Sequence, residues 1–182
     1  LSNFDLVWWL LVVGGLLTQA LLRPPPSTLV VGWSALQKLG ASVAMSLAVI
    51  LDVFSRLPLV AKVYASTPAS ADMAALFRAA AKPLGAPKHF ISDKGCQFTG
   101  KSFQKALNRK GVKHRFGAIG AHGSIAIVER FWATLKAILA VRFWKPLLAA
   151  DLEERVATAL LFYSAHRPHS SLRCATPLET FT

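Results

Sequence analysis

Two β-rich runs, SLAVILDVF (46–54) and LPLVAKVYA (57–65), are separated only by Ser55-Arg56. Apolar, β-branched runs this close together satisfy their backbone groups best by pairing, so they predict a hairpin. The pattern then keeps changing period. Ser70 is placed to cap a helix through about Ala81, which Pro83, Gly85 and Pro87 then break. KHFIS (88–92) reads as a short buried strand ending at Asp93. A basic helix runs from about Lys101 to Lys110, Gly111 stops it, and VKHRF (112–116) is another strand. Gly117, Gly120 and Gly123 make a flexible loop, after which Ser124 can cap a helix through about Ala140. A last helix spans roughly 151–165 and runs into an extended tail from Arg167-Pro168. A hairpin followed by alternating helices and strands implies an α/β fold, a sheet with helices on its faces.

The chain changes character near residue 45. Residues 6–22 are almost continuously apolar, and Arg23-Pro24-Pro25-Pro26 follows. Seventeen residues is the short limit for a spanning helix, and Gly14-Gly15 weakens the helical case. A signal peptide wants a positive start, yet Asp5 is the sole charge before the run. Residues 27–44 have no clear period, so residues 1–45 form an atypical apolar segment and 46–182 the regular domain.

Charge narrows the partner. Of 182 residues, 21 are Lys or Arg and 9 are Asp or Glu, a net +12 that suits a polyanion, nucleic acid being the commonest. Charge alone fits a merely soluble basic protein equally well. Cys96 and Cys174 lie far apart with no ligand spacing, which indicates neither a disulfide scaffold nor structural zinc and fits a reducing, cytoplasmic setting.

Between residues 73 and 150 there are two acids, Asp93 and Glu129, among fourteen Lys and Arg. Such acids are usually ion-pair partners. The alternative is that they hold a divalent metal against a phosphate backbone, where the metal offsets carboxylate–phosphate repulsion. Position favours the second reading. Asp93 follows a strand end, where open α/β sheets place functional groups, and Glu129 lies early in a helix after a glycine-rich loop.

Thirty-five residues separate the two acids. With the words DVFSR (52–56), GAPKHFISDKGCQF (85–98), HRFGAIGAHGSIAIVERFWATLK (114–136), HRPHSSL (166–172) and ATPLE (175–179), the chain resembles the D,D-35-E catalytic core of insertion-sequence transposases and retroviral-type integrases. The resemblance covers about residues 46–182 and implies an RNase H-like mixed sheet flanked by helices. It also implies metal-dependent phosphodiester cleavage and strand transfer, with DNA as partner and a homo-oligomer as the active form. Asp93 matches the second catalytic and metal-binding aspartate and Glu129 the glutamate. Lys136 lies seven residues on from Glu129, on the same helical face, and matches a DNA-contacting residue. Lys94 and Arg130 adjoin the acids and are further candidates for phosphate. The cofactor implied is Mg²⁺ or Mn²⁺, two ions about 3.5–4 Å apart in an intact relative. Phe98, Phe131 and Trp132 read as core aromatics, and His114, His122, His166 and His169 have no metal-ligand spacing.

The family pattern also needs an aspartate on the first strand, in the word W-x-x-D-x-T. Here Trp33 is followed at that interval by Leu36, which leaves the first strand in doubt. Asp52 belongs to the DVFSR word, and a turn bond to Ser55 or pairing with Arg56 accounts for it. Asp72 suits a helix's first turn, and Asp5 is a weak substitute for the missing acid. The simplest account is that residues 1 to about 45 do not descend in frame from a transposase. Three readings therefore compete: an active strand-transfer enzyme, a catalytically inactive remnant that binds DNA non-specifically, and a small membrane-associated protein.

Overall fold

In the computed structural model, the structure describes residues 26–36, 45–117, 124–139 and 149–182. The apolar run 6–22, Asp5 and most of the glycine-rich loop, His122 included, lie outside them. Five strands form one mixed sheet: β1 (Thr28–Leu36), β2 (Met45–Asp52), β3 (Pro58–Tyr64), β4 (His89–Ser92) and β5 (Lys113–Phe116). Their spatial order is β3-β2-β1-β4-β5. β1 and β2 pair antiparallel, as do β2 and β3, while β4 runs parallel to both β1 and β5. Thr28–Leu36, inside the segment expected to be atypical, is thus the central strand. A strand buried on both faces reads as a continuous apolar run without a visible period, which is why TLVVGWSAL gave no strand signal.

Helices cover both faces. On one side lie α1 (Ser70–Leu84), α2 (Cys96–Thr99), α3 (Lys101–Asn108) and the short α6 (Pro177–Phe181). On the other lie α4 (Ser124–Leu139) and α5 (Ala149–Leu161), with α5 continued by a wider turn at Phe162–His166. Successive residues of β1 divide between the faces: Leu29 and Val31 join the α1/α3 core, whereas Val30 joins the α4/α5 core. The first core is built on edge-to-face rings, Phe77 on Phe90 and Phe90 on Phe103, with centroids 5.5 Å apart in both pairs. Phe98 and Phe131 are fully buried and Trp132 partly so, as expected of core aromatics.

Local chemistry departs from expectation in two places and bears out one reading in a third. Ala69, not Ser70, precedes α1; the Asp72 carboxylate accepts from Ala69 N at 2.8 Å, and Ser70 Oγ accepts from Phe103 N at 3.1 Å. A side chain one position into a helix is free to serve a neighbouring element, and Ser70 does so. The tail after Arg167 is not simply extended: Thr176 and Glu179 form a reciprocal cap that starts α6, with Pro177 at its first position. Asp52 is buried, and its carboxylate accepts from Ser55 N at 2.8 Å and Ser55 Oγ at 2.7 Å. Of the two explanations offered for this acid, the turn bond holds, and the Arg56 guanidinium goes to the Val53 carbonyl instead.

Candidate active site

Asp93 is the first residue past β4, exposed, with its carboxylate turned back to accept from Gly95 N at 2.8 Å. The strand end that presents it is anchored by groups the sequence did not single out. Gln104 Nε2 donates to the Phe98 carbonyl at 2.6 Å and lies 2.7 Å from His114 Nδ1. An amide NH₂ can only donate, so Nδ1 accepts and the ring proton sits on Nε2. That nitrogen is 2.9 Å from Ser92 Oγ, whose hydroxyl donates to the Asp93 carbonyl at 2.7 Å. Burial lowers the His114 pKa, in keeping with a neutral ring. His114 therefore fixes the backbone at Asp93 as a positioning residue. No local spacing could have announced this relay, because its members come from β4, α3 and β5.

Strand register decides what faces Asp93. Val30 pairs with Ile91 in the parallel β1–β4 ladder, and continuing that register sets Gly32 level with Asp93. Alternation puts Gly32 on the α4 face with Val30, and carries Asp93 to the same face as Ile91. The paired ladder ends at Val30 and Ile91; extended by two residues, its register brings Gly32, four residues before Leu36, to the level of Asp93. β1 contains no acid anywhere between Thr28 and Leu36.

α4 closes over Gly32. A Cβ built there would lie 2.3 Å from Val128 Cγ1 and 2.9 Å from Trp132 Nε1. Val128 immediately precedes Glu129, and Trp132 follows it by three positions, nearly one helical turn. Glu129 itself is exposed, as are Lys94, Arg130 and Lys136. Val128, Phe131 and Leu135 are the residues α4 buries, which leaves its charged positions outward.

The donor set limits what the site can hold. Among the described residues, no three His, Cys, Asp or Glu side chains cluster closely enough to bind a metal. Among the same residues, no helix is long and apolar enough to cross a membrane.

Comparison with known proteins bears on the fold. The integrase core domain family model matches residues 35–122, stopping short of Glu129. The uncharacterized protein K02A2.6 of Caenorhabditis elegans is 30% identical over 95 residues, 52% of this chain but 7% of that protein. The HTLV-2 integrase catalytic core domain, solved with magnesium in a trimeric form, superposes with a TM-score of 0.67 at 20% identity, covering 87% of this chain and 98% of that one. The BIV integrase catalytic core gives 0.67 at 19% identity, covering 86% and 93%. The simian T-cell lymphotropic virus intasome, in complex with PP2A regulatory subunit B56 gamma, gives 0.69 at 19%, over 87% of this chain and 55% of that one. At these identities the likeness is one of fold: a five-stranded mixed sheet with helices on both faces, the RNase H-like arrangement of integrase cores.

Proposed function

We propose, because residues 35–122 match the integrase core domain family, whose work is DNA integration and transposition, that this chain is a DNA-binding core with an incomplete catalytic centre. The observation that carries the reading is Gly32. The residue level with Asp93 on the central strand has no side chain, and Val128 and Trp132 occupy the space one would need.

Asp93 and Glu129 are the two carboxylates this centre retains, and their side chains converge at the same sheet edge. Two placements support that convergence: the β1–β4 register, extended two residues, brings Gly32 level with Asp93, and the two residues packed over Gly32 flank Glu129. Asp93 and Glu129 would hold one Mg²⁺ or Mn²⁺ between them; a divalent ion so placed withdraws charge from a phosphodiester. The chain's own residues supply the rest: His114 and Ser92 fix the Asp93 backbone, and Lys94, Arg130 and Lys136 attract phosphate. With no third carboxylate beside them among the described residues, such an ion would be weakly held, and misplacement of about 1 Å can lower a rate on the order of a hundredfold. Binding by the basic surface is correspondingly indifferent to DNA sequence.

The test is a strand-transfer and cleavage assay on the purified chain with Mg²⁺ and with Mn²⁺. Little or no activity is expected. Robust metal-dependent transfer would overturn the proposal and restore the reading as an active, oligomeric enzyme.

A further inference from the structure

The turn between β2 and β3, the outer side of α4 and the segment after α5 enclose an open cavity of about 530 Å³. Three guanidinium groups line it, Arg56, Arg130 and Arg167, one from each of those segments, together with His169, Ser170 and Ser171. No Asp or Glu is among its lining residues. Three sequence words, DVFSR, HRFGAIGAHGSIAIVERFWATLK and HRPHSSL, thus meet at one place although more than a hundred residues separate the first from the last.

Gathering like charges without a carboxylate raises the energy of the folded chain unless an anion arrives. Arg56 is also held in a backbone conformation that side chains rarely adopt, with φ 66°, inside the turn that Asp52 and Ser55 lock. Its guanidinium donates to the Val53 carbonyl, so the arginine is restrained before any ligand binds. His169 Nε2 is buried and has no hydrogen-bond partner. Burial, followed by the nearby Arg167 and Arg56 charges, lowers the His169 pKa, and a hydrogen bond to the Tyr163 backbone acts the other way. The restrained Arg56 fork, two further arginines and two hydroxyls suit a tetrahedral oxyanion, since planar forks match phosphate oxygens in pairs.

We propose that this cavity is a phosphate site for the DNA backbone, beside but separate from the Asp93 and Glu129 edge. Arg130 adjoins Glu129 on α4, so a strand lying along the outer side of that helix would set a phosphate among Arg56, Arg130 and Arg167. The inference rests on the DNA-binding reading above and names where one of its phosphates sits.

Affinity for a short duplex, followed by fluorescence anisotropy across a salt series, tests it. Arg56→Gln and Arg167→Gln should each reduce the slope of log affinity against log salt by about one. Lys110→Gln, in the exposed turn after α3 on the other face of the sheet, removes the same charge and should change the slope less. Arg167→Lys should recover part of the loss. Thermal melting at matched ionic strength gives a second reading: inorganic phosphate should raise the Tm of the unaltered chain above its value in chloride, and Arg167→Gln should lose that increment. If both glutamine variants keep the slope of Lys110→Gln, the proposal is overturned even though the chain still binds DNA. It is overturned equally if inorganic phosphate depends on Arg167 while the duplex does not. A flat salt response in the unaltered chain would instead remove the DNA-binding reading itself.

Discussion

Trp132 closes on Gly32: a Cβ on that glycine would stand 2.9 Å from the indole Nε1, with Val128 Cγ1 nearer still at 2.3 Å. The helix carrying Glu129 is therefore packed against bare backbone at the level of Asp93. Adding a carboxylate at residue 32 is a packing problem before it is a question of chemistry. Gly32→Asp alone should destabilise the chain by about 1–3 kcal/mol, as overpacking of a filled core does. The same change made together with Val128→Ala and Trp132→Leu should be less destabilising than in the native background, because residues in contact do not add independently. Urea melts of the four combinations measure this; strict additivity would mean that α4 does not obstruct the position.

Restoring the third ligand should also change metal affinity. Mn²⁺ titration of the native chain should show weak binding that Asp93→Asn and Glu129→Gln each abolish. The triple variant, with Asp at residue 32 and space made for it, should bind more tightly and gain metal-dependent cleavage, which Glu129→Gln then removes. If Glu129→Gln leaves Mn²⁺ binding of the native chain unchanged, the two carboxylates do not share an ion.

Fourteen basic residues in the central segment should make DNA binding by this chain strongly salt-dependent and nearly independent of sequence. Affinities for unrelated duplexes of equal length should agree within a fewfold. A marked preference for one duplex would show base readout that an electrostatic surface does not supply.

The turn at Asp52 should be a stability element and not part of the metal chemistry. Ser55→Ala removes one of two donors to a buried carboxylate and should lower stability by about 1–3 kcal/mol. Asp52→Ala should be at least as damaging, while Mn²⁺ affinity stays at its native value in both variants. A loss of metal binding in Asp52→Ala out of proportion to its stability would assign this acid to the site.

His114 gives the fold a pH dependence. Its pKa is lowered from 6.5 by burial, so the unfolded chain takes up its proton first as the pH falls. The stability is complete above 6.5 and declines below it, and protonation also sets an N–H against the Gln104 amide, which cannot accept from it. Between pH 7.5 and 5.5 the Tm should fall, and less steeply in His114→Gln. Some slope should persist, since the His169 and His89 pKa values are lowered too. Equal slopes in the two proteins would disprove a role for His114.

Apart from the short α2, the order of elements from β2 to α5 was legible in the residues, since hairpins and helix breaks are written within a few positions of each other. So was the isolation of Asp93 and Glu129 in a basic segment, and the bond partner of Asp52 in Ser55. β1 was hidden because a strand covered on both faces needs no alternation, and its pairing with β4 depends on contacts across the fold. Register, a relation between distant segments, made Gly32 the neighbour of Asp93, and helix packing then filled the space beside it with Trp132. The meeting of Arg56, Arg130 and Arg167 has the same origin. Each is an ordinary surface arginine in its own segment, and only packing of the β2–β3 turn, α4 and the chain after α5 brings their charges to one cavity.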